Sequence, residues 1–277
     1  MTSTEERTGE AVADAVVASG PGPGRQRWWL EIPLAVAFYF AYAQIRDWHG
    51  SATVHAARVT ARHHGFDILR LERWLHIDWE KGAQAVFVPN VRPLVVAMDV
   101  FYGTAHFIVT VGVFLLLLFE AAPRVYRHAR NVLCLGTAIG LVCFALYATM
   151  PPRLMPAGIK TQDTMDTVGG LWSYNHGVLE HISDPYAAMP SLHIVWSSWV
   201  AYVLWSWLGR RGATRTRWLA WLYPAVTGLV VVVTGTHWVL DLAGGAAVFA
   251  LAVLAAKGLD RISSSRISSN PSGARTR

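Results

Sequence analysis

The sequence predicts an all-α polytopic membrane protein: a bundle of six transmembrane helices, with interfacial helices in the first outer loop. Three observations predict it. Hydrophobic residues make up 53% of the 277-residue chain and charged residues 15%, where soluble domains carry about 25% charged residues. Six apolar stretches approach or reach the roughly 20 residues that cross a bilayer core of about 30 Å. Arginine and lysine cluster in alternate connections between those stretches, the pattern of the positive-inside rule.

Residues 1–27 are acidic and contain Gly and Pro. They lack the basic segment and apolar core of a cleaved signal peptide, and read as a disordered cytoplasmic N-terminus. Residues 28–260 form one membrane domain, with spans at 28–45, 94–119, 131–150, 192–208, 218–233 and 238–256. The Ser/Arg-rich residues 261–277 read as a disordered basic cytoplasmic tail. Trp28, Trp29, Trp48, Trp205, Trp207, Trp218 and Trp238 fall near span ends, where indole rings anchor at the membrane interface.

A net charge of +6 raises nucleic acid as a partner, and its distribution excludes it. Arg25 and Arg27 precede the first span, and Arg124, Arg127 and Arg130 follow the second. Arg210, Arg211, Arg215 and Arg217 separate the fourth and fifth, and Lys257, Arg261 and Arg266 follow the sixth. All fall on one side of an alternating chain, so both termini are expected in the cytoplasm. The loop from 46 to 92 is then outside. Its stretch FDILRLERWLHIDW alternates apolar and charged residues at helical spacing, which predicts helices along the outer membrane surface, either covering the bundle or gathering substrate. Cys134 and Cys143 share the third span on opposite faces, too far apart to pair, and read as packing residues.

Ionisable residues in or beside a span are candidates for function because burying them is costly. Three stretches hold them: YATMPPRLMP with Arg153, MPSLH with His193, and TGTHWVLDLAGG with His237 and Asp241. The topology places all three at the outer face. His237 and Asp241 are spaced i, i+4, which puts them on one helix face. An aspartate on one ring nitrogen fixes the tautomer and leaves the other nitrogen as nucleophile or base. Pro190 at a helix start would turn the N–H groups of Ser191, Leu192 and His193 outward as an anion site. Arg153, held by prolines, suits bidentate phosphate binding.

Two histidines, an aspartate and an arginine on one membrane face fit phosphoryl transfer. One histidine attacks phosphorus, the other protonates the leaving oxygen, and the arginine and backbone amides hold the equatorial oxygens. No Cys/His spacing calls for a metal, and no Gly-rich nucleotide loop is present. Neither a metal nor a cofactor is expected.

These stretches resemble the type 2 phosphatidic acid phosphatase superfamily. PSLH is similar to its second motif, PSGH, and GTHWVLD to the end of its third, which closes in HxxxD. The branch that includes inositol phosphorylceramide synthase shares PSLH, a TGxH…D motif and a PPR segment. The resemblance extends over about residues 30–256 and includes YGTAH in the second span. It implies His237 as nucleophile through a phosphohistidine, Asp241 orienting it, His193 as general acid and Arg153 on the phosphate. It also implies a six-helix core and metal-independent chemistry.

Two cations of the superfamily pattern are missing: Leu146 and Val231 stand where a lysine and an arginine are expected. Lys160, Arg92 and basic residues of the outer loop are candidate replacements. Asp99, Tyr102 and His106 share a face of the second span and are expected near the site, with interhelical hydrogen bonding as their main role. His176 and His181 read as surface residues. The expected partners are a membrane lipid phosphate and either water or an alcohol acceptor. A non-catalytic lipid-phosphate binding protein or transporter is the alternative from another class.

Overall fold

A computed structural model of the chain describes Trp29 and residues 31–50, 54–159, 161–168 and 184–268. The expectations for residues 1–27, Trp28, Lys160, His176 and His181 lie outside these residues.

The described residues form helices α1 (Glu31–Gly50), α2 (Val54–Leu75), α3 (Glu80–Phe87), α4 (Arg92–Glu120), α5 (Pro123–Leu146), the short α6 (Thr164–Thr167), α7 (Leu192–Arg210), α8 (Leu222–Val233) and α9 (Val239–Ser268). Single 3₁₀ turns at Pro152–Leu154 and Thr216–Trp221 lie between them. Prolines in the first turns of α4 and α5 sit where no intrahelical donor is lost.

Four stretches are long and apolar enough to cross a membrane: Arg92–Glu120, Pro123–Leu146, Thr216–Val233 and Val239–Ser263. The first expected span appears as a shorter apolar stretch, Glu31–Ile45. The fourth, α7, is helical over Leu192–Arg210 but falls outside the four. Its His193, Ser197, Ser198 and Ser206 dilute its apolar character, and Ser197 and Ser198 are buried in the bundle. The last helix runs on to Ser268, past the boundary placed at 260.

The bundle core joins α4, α5, α7 and α9 through Leu117, Tyr126, Val132, Trp199, Val200 and Ala252. Lipid tails are as apolar as leucine, so close packing and internal hydrogen bonds must hold such helices together. The Trp199 indole N–H donates to the Ala129 carbonyl at 2.7 Å. A Cβ at Gly140 would come 2.5 Å from Leu192 Cδ2, and one at Gly245 would come 2.6 Å from the Ser191 carbonyl. Both glycines therefore let α5 and α9 close on the MPSLH segment.

The connection expected outside is helical over Val54–Leu75 and Glu80–Phe87, as its periodicity predicts. Ala61, Gly65, Ile68, Leu69 and Glu72 of α2 form one stripe at helical spacing, and all are buried. The stripe packs on Met150, Met155 and Trp238. Leu71, Trp74 and Leu75 of α2, Trp79 just before α3 and Val86 of α3 are exposed. Trp238, expected as an interfacial anchor, is instead 1% exposed, with its indole N–H donating to the Met150 carbonyl at 2.9 Å. It braces the turn that carries His237.

Candidate active site

The third expected stretch folds differently from an extended helix face. The α9 helix begins at Val239, so His237 precedes it in a turn and Asp241 lies in its first turn. The turn opens at Gly235, whose φ of +73° only glycine adopts without strain. The Val231 carbonyl collects the N–H groups of Thr236 and His237 and the hydroxyls of Thr234 and Thr236. Asp241 Oδ2 accepts from the Trp238 N–H at 2.8 Å, closing the turn onto the helix.

This geometry orders the ring protons. His237 Nδ1 lies 2.9 Å from the Ala188 carbonyl and 3.2 Å from Asp241 Oδ2. A carbonyl can only accept, so Nδ1 carries the proton and Nε2 of the neutral ring presents a lone pair. His193 Nδ1 stands 3.3 Å from that Nε2. The result is a line from Asp241 through His237 to His193, with His237 and Asp241 fully buried and His193 partly so. His193 Nε2 is buried and has no hydrogen-bond partner among the described residues.

The MPSLH segment meets part of its expectation. Pro190 lies ahead of the helix, Ser191 is its N-cap, and α7 starts at Leu192. The Ser191 N–H is not free for an anion: it donates to the Asp241 carbonyl at 3.1 Å, because α9 crosses close at Gly245. The N–H groups of Leu192 and His193 have no acceptor among the described residues, as the first turn of a helix leaves them. The Leu192 side chain packs against Gly140.

Arg153 joins the site through its backbone. Its N–H donates to the Gly235 carbonyl at 3.0 Å, two residues before His237. Its guanidinium is buried and pairs with Asp163 at 2.6 Å. An isolated parallel bridge between Thr149 and Ala187 ties the PPR segment to the MPSLH segment. The three stretches therefore meet, as expected from the topology.

The second-span residues separate into two groups. Tyr102 stacks on His193 at 4.5 Å between ring centres, and His106 meets the same ring edge-on at 4.5 Å. His106 Nδ1–H donates to its own helix's Tyr102 carbonyl at 2.9 Å rather than across to another helix. Asp99 is turned elsewhere: it accepts from the Thr164 hydroxyl at 2.6 Å, fastening α6 to α4.

The two missing cation positions differ in their surroundings. Leu146 is 78% exposed at the end of α5, and Val231 is wholly buried. Arg92 donates to the Val168 carbonyl at 3.0 Å, and Lys81 donates to the Gly158 carbonyl.

Sequence reasoning missed Glu72, Glu80 and Gln84. Glu72 Oε1 accepts from the Leu240 N–H at 2.7 Å and Glu80 Oε1 from the Val239 N–H at 2.9 Å. The Gln84 amide donates to the Val233 carbonyl at 2.8 Å and the Gln162 carbonyl at 2.9 Å, and accepts from the Gln162 N–H at 2.7 Å. The legible signal was Glu72, which falls on the buried stripe of α2.

The PAP2 superfamily pattern matches residues 66–255, a stretch that holds Glu72, Glu80, Arg153, His193, His237 and Asp241. No curated protein and no solved structure matches the chain. A match over more than half the sequence, on a helical fold with membrane-length helices, is decisive: the chain belongs to the PAP2 superfamily, whose members are phosphoesterases.

Proposed function

We propose that the chain is a six-span membrane enzyme that acts on a lipid phosphate at the extracytoplasmic face through a phosphohistidine on His237. The observation that carries this reading is the buried Asp241–His237–His193 line, which leaves a lone pair on His237 Nε2.

The roles follow from the ring chemistry. Asp241 and the Ala188 carbonyl hold the Nδ1 proton, so Nε2 attacks phosphorus and the positive ring that forms is stabilised by the carboxylate. His193 gives a proton to the departing lipid oxygen. The 3.3 Å space between the two rings is where phosphorus must enter, so substrate binding parts them. Arg153 and the free N–H groups of Leu192 and His193 hold the phosphate oxygens. Arg153 then exchanges its Asp163 partner for the substrate. The mechanism uses no metal.

Water as acceptor gives a phosphatase, and an alcohol such as inositol gives a phosphotransferase of the inositol phosphorylceramide synthase kind. Leu192 favours the second, since it stands where the general motif has glycine and is fitted to Gly140. The test is turnover of a panel of lipid phosphates by purified native protein and His237→Ala, with and without polyol acceptors. The variant should lose at least about 10³-fold in kcat, as removal of a covalent nucleophile does. Unchanged turnover would contradict the mechanism. A native protein that binds these lipids without turning them over is a binding protein or transporter.

A further inference from the structure

The carboxyl groups of Glu72 on α2 and Glu80 on α3, which bond to the start of α9, have no part in the roles above. Glu72 is 0% exposed and Glu80 is 3% exposed. They reach the same point from different helices. The α2 helix ends in a tight turn, with the Ile77 N–H donating to the Glu72 carbonyl at 2.9 Å and His76 at a φ of +58°. That turn brings α3 back, so that its first residue, Glu80, lies beside Glu72.

Each carboxyl group takes one N–H from the opening turn of α9. Glu80 takes Val239 and Glu72 takes Leu240, while Asp241 takes Trp238. Three of the donors that every helix start leaves orphaned are thus filled by three acids. Acids are favoured at the positive end of a helix, but three buried negative charges this close repel one another. The two carboxyl groups are buried side by side on adjacent N–H groups of one turn, and Glu72 Oε2 has no hydrogen-bond partner among the described residues. Ionising both next to Asp241 would crowd like charges out of water, so the pair holds one proton between its two carboxyl groups.

We propose that Glu72 and Glu80 are a proton-sharing pair of positioning residues that fixes the opening turn of α9, and through it Asp241 and His237. The proposal rests on the histidine reading above for its catalytic consequence. Burial, with the Glu80 charge next, pushes the Glu72 carboxyl up to about 9. Burial also raises Glu80. The charged group facing the pair from the α9 turn is Asp241. Both carboxyl groups are raised, so the pair holds the proton, and Glu72, its wholly buried member, is where the test removes it.

The sign of the pH effect is fixed. Glu72 keeps its proton in the folded chain up to about pH 9 but releases it near pH 4.3 when unfolded, the usual value for glutamate. Its contribution to stability is complete below the unfolded value. It declines as pH rises towards the folded value, and is level beyond it.

The test uses full-length protein in detergent, with Glu72→Gln, Glu72→Leu and His237→Ala. The glutamine change keeps an acceptor for Leu240 and a donor for Glu80 but cannot ionise. Its melting temperature relative to the native protein should climb between the ordinary carboxylate range and about pH 9, then level off. Its kcat should stay within about threefold of native, while the leucine change should lower kcat about 10²-fold with KM little altered, the mark of misplaced catalytic groups. His237→Ala should lose turnover and keep the native dependence of melting temperature on pH.

A glutamine variant whose melting temperature tracks the native protein at every pH overturns the shared proton. A glutamine variant with a 10²-fold loss of kcat, or a folded leucine variant with native turnover, overturns the positioning role. If His237→Ala turns over normally, the histidine mechanism falls while the pH dependence still decides the pair.

Discussion

In the proposed mechanism, His237 owes its reactivity to neighbours that differ in kind. A carbonyl at 2.9 Å and a carboxylate at 3.2 Å fix one nitrogen as donor, and His193 contacts the other. The assignment of His193 as proton donor makes a prediction at this scale. A lipid alkoxide needs a proton to leave, whereas a nitrophenolate does not. His193→Ala should therefore lose about 10²–10⁴-fold in kcat/KM on a lipid phosphate and far less on an aryl phosphate. Equal losses on both would assign His193 to binding. Arg153, His193, His237 and Asp241 were all legible in the sequence, because charged and ionisable side chains stand out against apolar spans. Their partners were less so. Nothing in PSLH indicates that the Ser191 N–H is taken by the Asp241 carbonyl, since that contact depends on how closely α9 crosses at Gly245. Asp163 as the partner of Arg153 lies ten residues away in a connection whose path only the fold defines.

At the scale of elements, the site is made by turns as much as by helices. An i, i+4 spacing suggested that His237 and Asp241 share a helix face. The glycine at 235 instead ends α8 and sets His237 in the turn, and Asp241 becomes the group that joins turn to helix. A Cβ at Gly235 would lie 2.5 Å from Thr161 Oγ1 and 2.8 Å from the Gln162 carbonyl. Gly235→Ala should therefore cost about 1–3 kcal/mol through its backbone conformation and crowding and lower turnover by moving His237. Thermal unfolding and initial rates on one preparation measure both. Native stability and native rates together would remove the turn from the account. The outer-loop helices were predicted in kind, from their period. Their grip on the site was not, because a buried glutamate at the end of an apolar stripe reads locally as the edge of that stripe. Only the fold places Glu72 and Glu80 against backbone donors of α9.

At the scale of the whole molecule, the helical class and four membrane-length helices agree with the sequence. The other two expected spans fall short of that length and apolarity: Glu31–Ile45 is a shorter apolar stretch, and α7 carries His193 and three serines. The proposed orientation puts the outer loop and the site on one side and the α7–α8 connection on the other. Trp74→Cys, at a position 74% exposed, should react with a membrane-impermeant maleimide on intact cells, and Arg215→Cys should react only after lysis. The reverse pattern would invert the topology and bring the site to the cytoplasmic face. The central claim is chemical, and one measurement addresses it most directly. Native protein is mixed with a lipid phosphate labelled in its phosphate group, quenched in alkali within a turnover, digested and mapped. The account predicts an acid-labile, alkali-stable phosphate on the peptide that holds His237, absent from His237→Ala. Label on another residue, or none while the substrate is consumed, would contradict it.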